Sequence, residues 1–123
     1  MANAINWFEI PASDFDRACE FYGKILNGEI NKMDTPTGIK MGMLPNFEMG
    51  SVGGAVVSGE GYEPSNKGIV PYLNAGEDLS VPLSKVEKAG GKIVMPKTSI
   101  GQNGFMAHFI DTEGNRVALH SMK

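Results

Sequence analysis

The stretch Asp14-Phe15-Asp16-Arg17-Ala18-Cys19-Glu20-Phe21-Tyr22 decides the fold once it is laid on Asp78-Leu79-Ser80-Val81-Pro82-Leu83-Ser84-Lys85-Val86, an offset of 64 positions. Phe15, Cys19 and Tyr22 then fall on Leu79, Leu83 and Val86. These are positions i, i+4 and i+7, the buried stripe of an amphipathic helix. The offset continues without a gap: Lys24 falls on Lys88, Ile30 on Val94, Gly50 on Gly114 and Val56 on His120. Helix, strand and turn signals in one register over most of the chain identify an internal repeat.

Working outward, residues 5–10 and 69–74 read as short first strands, rich in β-branched and aromatic residues. The first helix starts near Ser13, a capping residue with Asp16 three positions on, and ends near Asn27-Gly28. The second starts near Asp78, with Pro82 in its first turn, and ends at Gly90-Gly91. Three strand-like runs follow each helix, near 29–33, 39–44 and 51–57, then 92–95, 105–110 and 116–121. Asp111-Thr112-Glu113-Gly114-Asn115 between the last two is a hairpin turn, with glycine available for the left-handed position. The predicted fold is α+β: one domain over 1–123, made of two tandem βαβββ modules, 1–57 and 65–121, joined by 58–64.

Composition narrows the function classes. The 123 residues are 41% hydrophobic, enough for a core without disulfide staples. Eleven basic residues against fourteen acidic, with no basic run, argue against a nucleic-acid partner. No apolar stretch approaches the roughly 20 residues of a membrane helix. Met-Ala-Asn-Ala at the start lacks the layout of a signal peptide, and a lone Cys19 makes no internal disulfide. The expectation is a cytoplasmic protein.

Trp7-Phe8-Glu9-Ile10-Pro11, the Asp14–Tyr22 helix, Ala89-Gly90-Gly91 and the closing Asp111–Arg116 turn running on to His120 together resemble the vicinal oxygen chelate superfamily. That superfamily includes glyoxalase I, extradiol dioxygenases and the bleomycin- and fosfomycin-resistance proteins. The resemblance is greatest to its small glyoxalase-like branch. It covers nearly the whole chain and implies curved mixed sheets around a ligand cavity, a small-molecule ligand and a homodimer. It also implies a metal held from four slots, which fall on Trp7, Gly54, Pro71 and Ala118. None of these side chains ligates a metal, because indole nitrogen only donates and the other three carry no donor atom. The expectation is therefore a cavity with no metal and no other cofactor. A divalent metal with glyoxalase- or dioxygenase-like activity is the competing reading.

Strand alternation extends the cavity wall in steps of two. If Trp7 faces inward, so does Glu9; if Ala118 does, so do Arg116 and His120. On the matching strand of the first half, Val52, Gly54 and Val56 are expected to face the same way. Glu9 and His120 then become candidate catalytic groups, a carboxylate orienting a histidine that exchanges protons near neutral pH. The bland alternative pairs Glu9 with Arg116 and leaves His120 bonded to backbone at a strand end. His108, Glu9 and His120 would make a two-histidine, one-carboxylate iron set only if His108 faced the cavity, which the sequence leaves open. Trp7 stacks on a planar ligand or fills space. Cys19 lies on the helix stripe and reads as core. Met41 and Met43 share one face of their strand, with Met49 nearby, as pocket lining or core filling.

Three functions fit these residues. The first is a metal-free binder of a small apolar or aromatic molecule. The second is a lyase- or isomerase-type enzyme using Glu9 and His120. The third is a dimeric interaction module.

Overall fold

The computed structural model describes residues 3–45 and 50–123, so Met49 lies outside the described residues. The first half comprises β1 (Trp7–Pro11), α1 (Phe15–Leu26), β2 (Asn31–Asp34), β3 (Lys40–Met43) and β4 (Gly53–Ser58). The second comprises β5 (Tyr72–Asn74), α2 (Ser80–Val86), β6 (Lys92–Ser99), β7 (Phe105–Ile110) and β8 (Arg116–Ser121), with a 3-10 turn at Gly101–Asn103. Each half is a four-stranded mixed sheet, ordered β1-β4-β3-β2 and β5-β8-β7-β6. In both, the first and last strands of the half pair in parallel and the remaining pairs are antiparallel.

Local chemistry sets the element ends. The cap of α1 is Asp14 rather than the predicted Ser13, its carboxylate accepting from the Arg17 N–H at 3.1 Å. The helix closes on Asn27, which adopts the left-handed conformation at φ 51°. Helix α2 is shorter than predicted and stops at Val86, whose carbonyl accepts from Gly91 N–H at 2.9 Å. Strand β5 is shortened to Tyr72–Asn74, since Pro71 has no N–H to offer a ladder; its carbonyl still accepts from Ala118. Strand β6 runs to Ser99, four residues past its predicted end, with register shifts between Ile93 and Met95 and between Met95 and Thr98. Pro96 lies inside the second shift, where a missing N–H is tolerated.

One core joins the halves. Phe15, Phe21, Tyr22 and Ile25 of α1, with Leu79 and Val86 around α2, pack on the sheet faces carrying Ile10, Val56, Leu73, Phe109, Val117 and Leu119. Phe21 meets Tyr22 edge-on, with ring centroids 4.9 Å apart, and reaches Phe109 of the other half at 5.7 Å. The turn after β7 reinforces this union. Tyr22 Oη donates to Asp111 Oδ2 at 2.7 Å, and Asn115 Nδ2 donates to Asp111 at 3.0 Å and to the Pro11 carbonyl at 2.7 Å.

The repeat is not gapless in three dimensions, and this changes which residues face the cavity. Helix α1 and the α2 region keep the offset of 64: Phe15, Ala18 and Tyr22 are buried, as are Leu79, Pro82 and Val86. The parallel strand pairs use 63 instead. Pro11 pairs with Val57 as Asn74 pairs with His120, and Ala12 N–H bonds Val57 O as Ala75 N–H bonds His120 O. A slip of one residue turns a strand's side chains to the opposite face. The counterparts of Tyr72 and Ala118 are therefore Glu9 and Ala55, not Phe8 and Gly54.

Gly54 and Val56 accordingly do not share a face with Trp7, contrary to the alternation expected from sequence, although Gly54 still borders the groove beside β1. Val56 is fully buried in the core beside its partner Ile10. Gly54 lies under the Phe8 ring, in space that a Cβ would have to share with that ring.

Candidate functional site

The helices cover one face of each sheet, and alternation assigns the remaining residues to the other. In the first half that opposite face carries Trp7, Glu9 and Pro11 of β1, Met41 and Met43 of β3, and Gly53, Ala55 and Val57 of β4. In the second half it carries Tyr72 and Asn74 of β5, Met106 and His108 of β7, and Arg116, Ala118 and His120 of β8. Ala55, Val57 and Ala118 are all fully buried, yet stand outside the helix-side core. They form the floor of the opposite face.

An open groove of about 1400 Å³ runs between β1 and β5. Trp7, Glu9 and Val52 line it from the first half and Tyr72 and Arg116 from the second. A smaller recess of about 380 Å³ lies beyond Tyr72, beside Asn74 and His120. Tyr72 borders both spaces.

The polar groups fall into three separate arrangements. Glu9 is exposed and accepts from Tyr62 Oη, on the joint between halves, at 3.1 Å; this bond raises the pKa of Tyr62. His120 bonds the Asn103 carbonyl through Nε2 at 2.6 Å. The third arrangement is a chain of side chains on one sheet face. Arg116 Nε donates to His108 Nδ1 at 2.9 Å, and His108 Nε2 lies 2.9 Å from Tyr72 Oη, the two rings edge-on. His108 is only 8% exposed. Burial, and secondarily the charge of Arg116, hold its pKa below the ordinary histidine value.

Glu9 and His120 thus have different partners and border different spaces. Glu9 does not pair with Arg116, which bonds His108. Sequence reasoning missed Tyr72 and Tyr62 and left the facing of His108 open. His108 was nonetheless within reach. The Asp111–Asn115 turn sets Ile110 opposite Arg116, and counting back two on each strand sets His108 opposite Ala118, on the same face. The contact of Tyr62 carries no such signal, because a joint of irregular backbone has no alternation to follow.

Residues 4–119 match the model of the Glyoxalase/Bleomycin resistance protein/Dioxygenase superfamily, and the chain belongs to that superfamily. Among curated proteins, it is 26% identical over 119 residues to "Putative glyoxylase CFP32" of Mycobacterium bovis, covering 93% of this chain and 44% of that protein. The chain thus spans less than half the length of this relative. Among solved structures it resembles a glyoxalase/bleomycin resistance protein from Albidiferax ferrireducens, with a TM-score of 0.75 at 10% identity, covering 95% of this chain and 97% of that one. It also resembles glyoxalase I from Zea mays, with a TM-score of 0.69 at 21% identity, covering 95% and 45% respectively. At these identities the structural likeness speaks for the fold, which hosts many chemistries.

The superfamily's metal is a poor fit to the residues present. The slots expected from sequence hold an indole, a glycine, a proline and an alanine. The strand pairs level with Ala118 and with its counterpart Ala55 are Tyr72–Ala118 and Glu9–Ala55, which together offer one carboxylate and no imidazole. Among the described residues, no group of three or more His, Cys, Asp or Glu side chains is arranged to hold a metal ion. The iron set of His108, Glu9 and His120 does not assemble: both ring nitrogens of His108 are engaged by Arg116 and Tyr72. Cys19 is buried in the core, and desolvation pushes its thiol up to about 11.

Proposed function

We propose that the chain binds a small, partly aromatic or amphipathic molecule in the groove between β1 and β5, without the divalent metal of its superfamily. The observation that carries this reading is the facing of two aromatic side chains, Trp7 and Tyr72, into one groove from the two halves. Apolar walls with polar points among them, here the charged Glu9, Glu63, Lys67 and Arg116, are the usual make-up of a small-molecule site. The poverty of the donor set supports the absence of metal. A proton-transfer enzyme built on Glu9 and His120 as a pair has less support, since each is bonded elsewhere.

Trp7 is the chain's single tryptophan, so its emission reports on this groove alone. Titration with a panel of aromatic metabolites and antibiotics is expected to give a saturable change in emission, unaltered by EDTA. Measured by titration calorimetry, which does not depend on tryptophan emission, Trp7→Leu should weaken the best ligand by about tenfold, the scale of one lost aromatic contact. One tightly held divalent ion per chain in elemental analysis, with binding lost on chelation, would refute the metal-free reading. A panel in which every ligand leaves Trp7 emission unmoved would count against the groove itself.

A further inference from the structure

We propose that Arg116, His108 and Tyr72 form a hydrogen-bond relay that presents the Tyr72 hydroxyl as a donor to an anionic oxygen of an aromatic ligand, a carboxylate above all. This rests on the groove reading given above and adds to it the ligand's polar end.

The donor inventory carries the argument. A guanidinium only donates, so His108 Nδ1, 2.9 Å from Arg116 Nε, must offer a lone pair. In a neutral ring the proton then resides on Nε2. That nitrogen lies 2.9 Å from Tyr72 Oη, so the imidazole donates and the phenol oxygen accepts. With its oxygen already accepting, Tyr72 directs its own O–H elsewhere. Its side chain is half-exposed and borders both the groove and the recess beside His120. Accepting one hydrogen bond polarises the hydroxyl and strengthens it as a donor. The positive charge of Arg116 at the far end of the relay acts in the same direction and favours an anion. The burial of His108 fixes the relay's middle member, so the donor is held in place before any ligand arrives.

The floor under the relay suits this role. Ala118 pairs with both Tyr72 and His108, so the smallest apolar side chain stands where a longer one would separate the two rings. Trp7 and Val52 across the groove supply the apolar wall for the ligand's ring.

The test compares 4-nitrobenzoate with 4-nitrotoluene, two probes of nearly one shape that differ in the carboxylate, by quenching of Trp7 emission in the full chain. The native protein is expected to prefer 4-nitrobenzoate, and Tyr72→Phe to weaken that probe by about tenfold while leaving 4-nitrotoluene unchanged. Equal binding of both probes, untouched by Tyr72→Phe, would overturn the relay's role and leave the groove reading standing. Binding of neither would overturn the groove reading, and the assigned ligand class with it. A second readout needs no ligand: side-chain ¹⁵N NMR should show His108 protonated at Nε2 and bare at Nδ1. A proton on Nδ1 at neutral pH would overturn the relay whichever probes bind.

Discussion

Gly54 has no side chain because Phe8 takes the space above it, and Phe8 is held there by the core beneath α1. A methyl at this position would overlap the Phe8 ring, which must give way to admit it. Gly54→Ala should therefore lower unfolding stability by about 1–3 kcal/mol, the usual cost of overpacking. The contrast is Gly38, where a side chain would meet nothing within 4 Å and only its φ of 84° resists substitution. Chemical denaturation of the two alanine variants checks this, and a Gly54→Ala protein as stable as the native one would contradict the packing described here. Gly54 also shows where residue-level reading fell short. A glycine pair inside a strand-like run, as Gly53-Gly54 is, marks a point of close approach. Which of the two lies against Phe8 depends on strand phase, which composition does not carry.

At the scale of elements, the hairpin turn between β7 and β8 does more than reverse the chain. Glu113 at its tip accepts from the Ser13 and Asp14 N–H groups at 2.9 and 2.7 Å and from Arg17 Nε at 2.7 Å. It thus satisfies free donors at the start of a helix in the other half. Its side chain is fully covered. Burial works to raise its pKa, but the bonds from Arg17, Asp14 and Thr112 outweigh burial and lower it below the ordinary glutamate value. A carboxylate held low in the folded state contributes stability that is present above its unfolded pKa. That contribution is lost as pH falls through the lower folded value. Glu113→Gln should cost about 2 kcal/mol at pH 7, the scale of charged hydrogen bonds. It should also flatten the decline of melting temperature below about pH 4.5. Thermal melts of both proteins from pH 7 to pH 3 decide the matter; parallel curves would mean that Glu113 is not the group responsible. The existence of this turn was plain from Asp111–Asn115. Its docking on α1 was not, because the bonded residues are about 100 positions apart and nothing local links them.

Across the whole molecule, the order of elements was readable because helix stripes and turn glycines survive small insertions. The site was less so, because facing depends on a single residue of offset: 64 in the helices and 63 in the parallel strands. That one step moved Val56 into the core and brought Glu9, rather than Phe8, level with Tyr72. Ile5 and Ile69, which also border the groove, are left at 53% and 94% exposure. Such a patch predicts association with a second copy. Light scattering should give twice the monomer mass at micromolar concentration, and Ile69→Asp should shift the protein towards monomer. A single monomeric mass at every concentration would rule this out. The offset has a last consequence, one of symmetry. An internal repeat makes the two halves of a chain alike, and the groove between β1 and β5 draws its lining from both. Here the strand offset matches Glu9 with Tyr72 and Val57 with His120, so the two halves carry unlike chemistry at matching positions. For the ligand proposed above, the groove then offers indole and carboxylate from one half and phenol and guanidinium from the other. Such a ligand is expected to bind in one orientation, with the two enantiomers of a chiral one bound unequally.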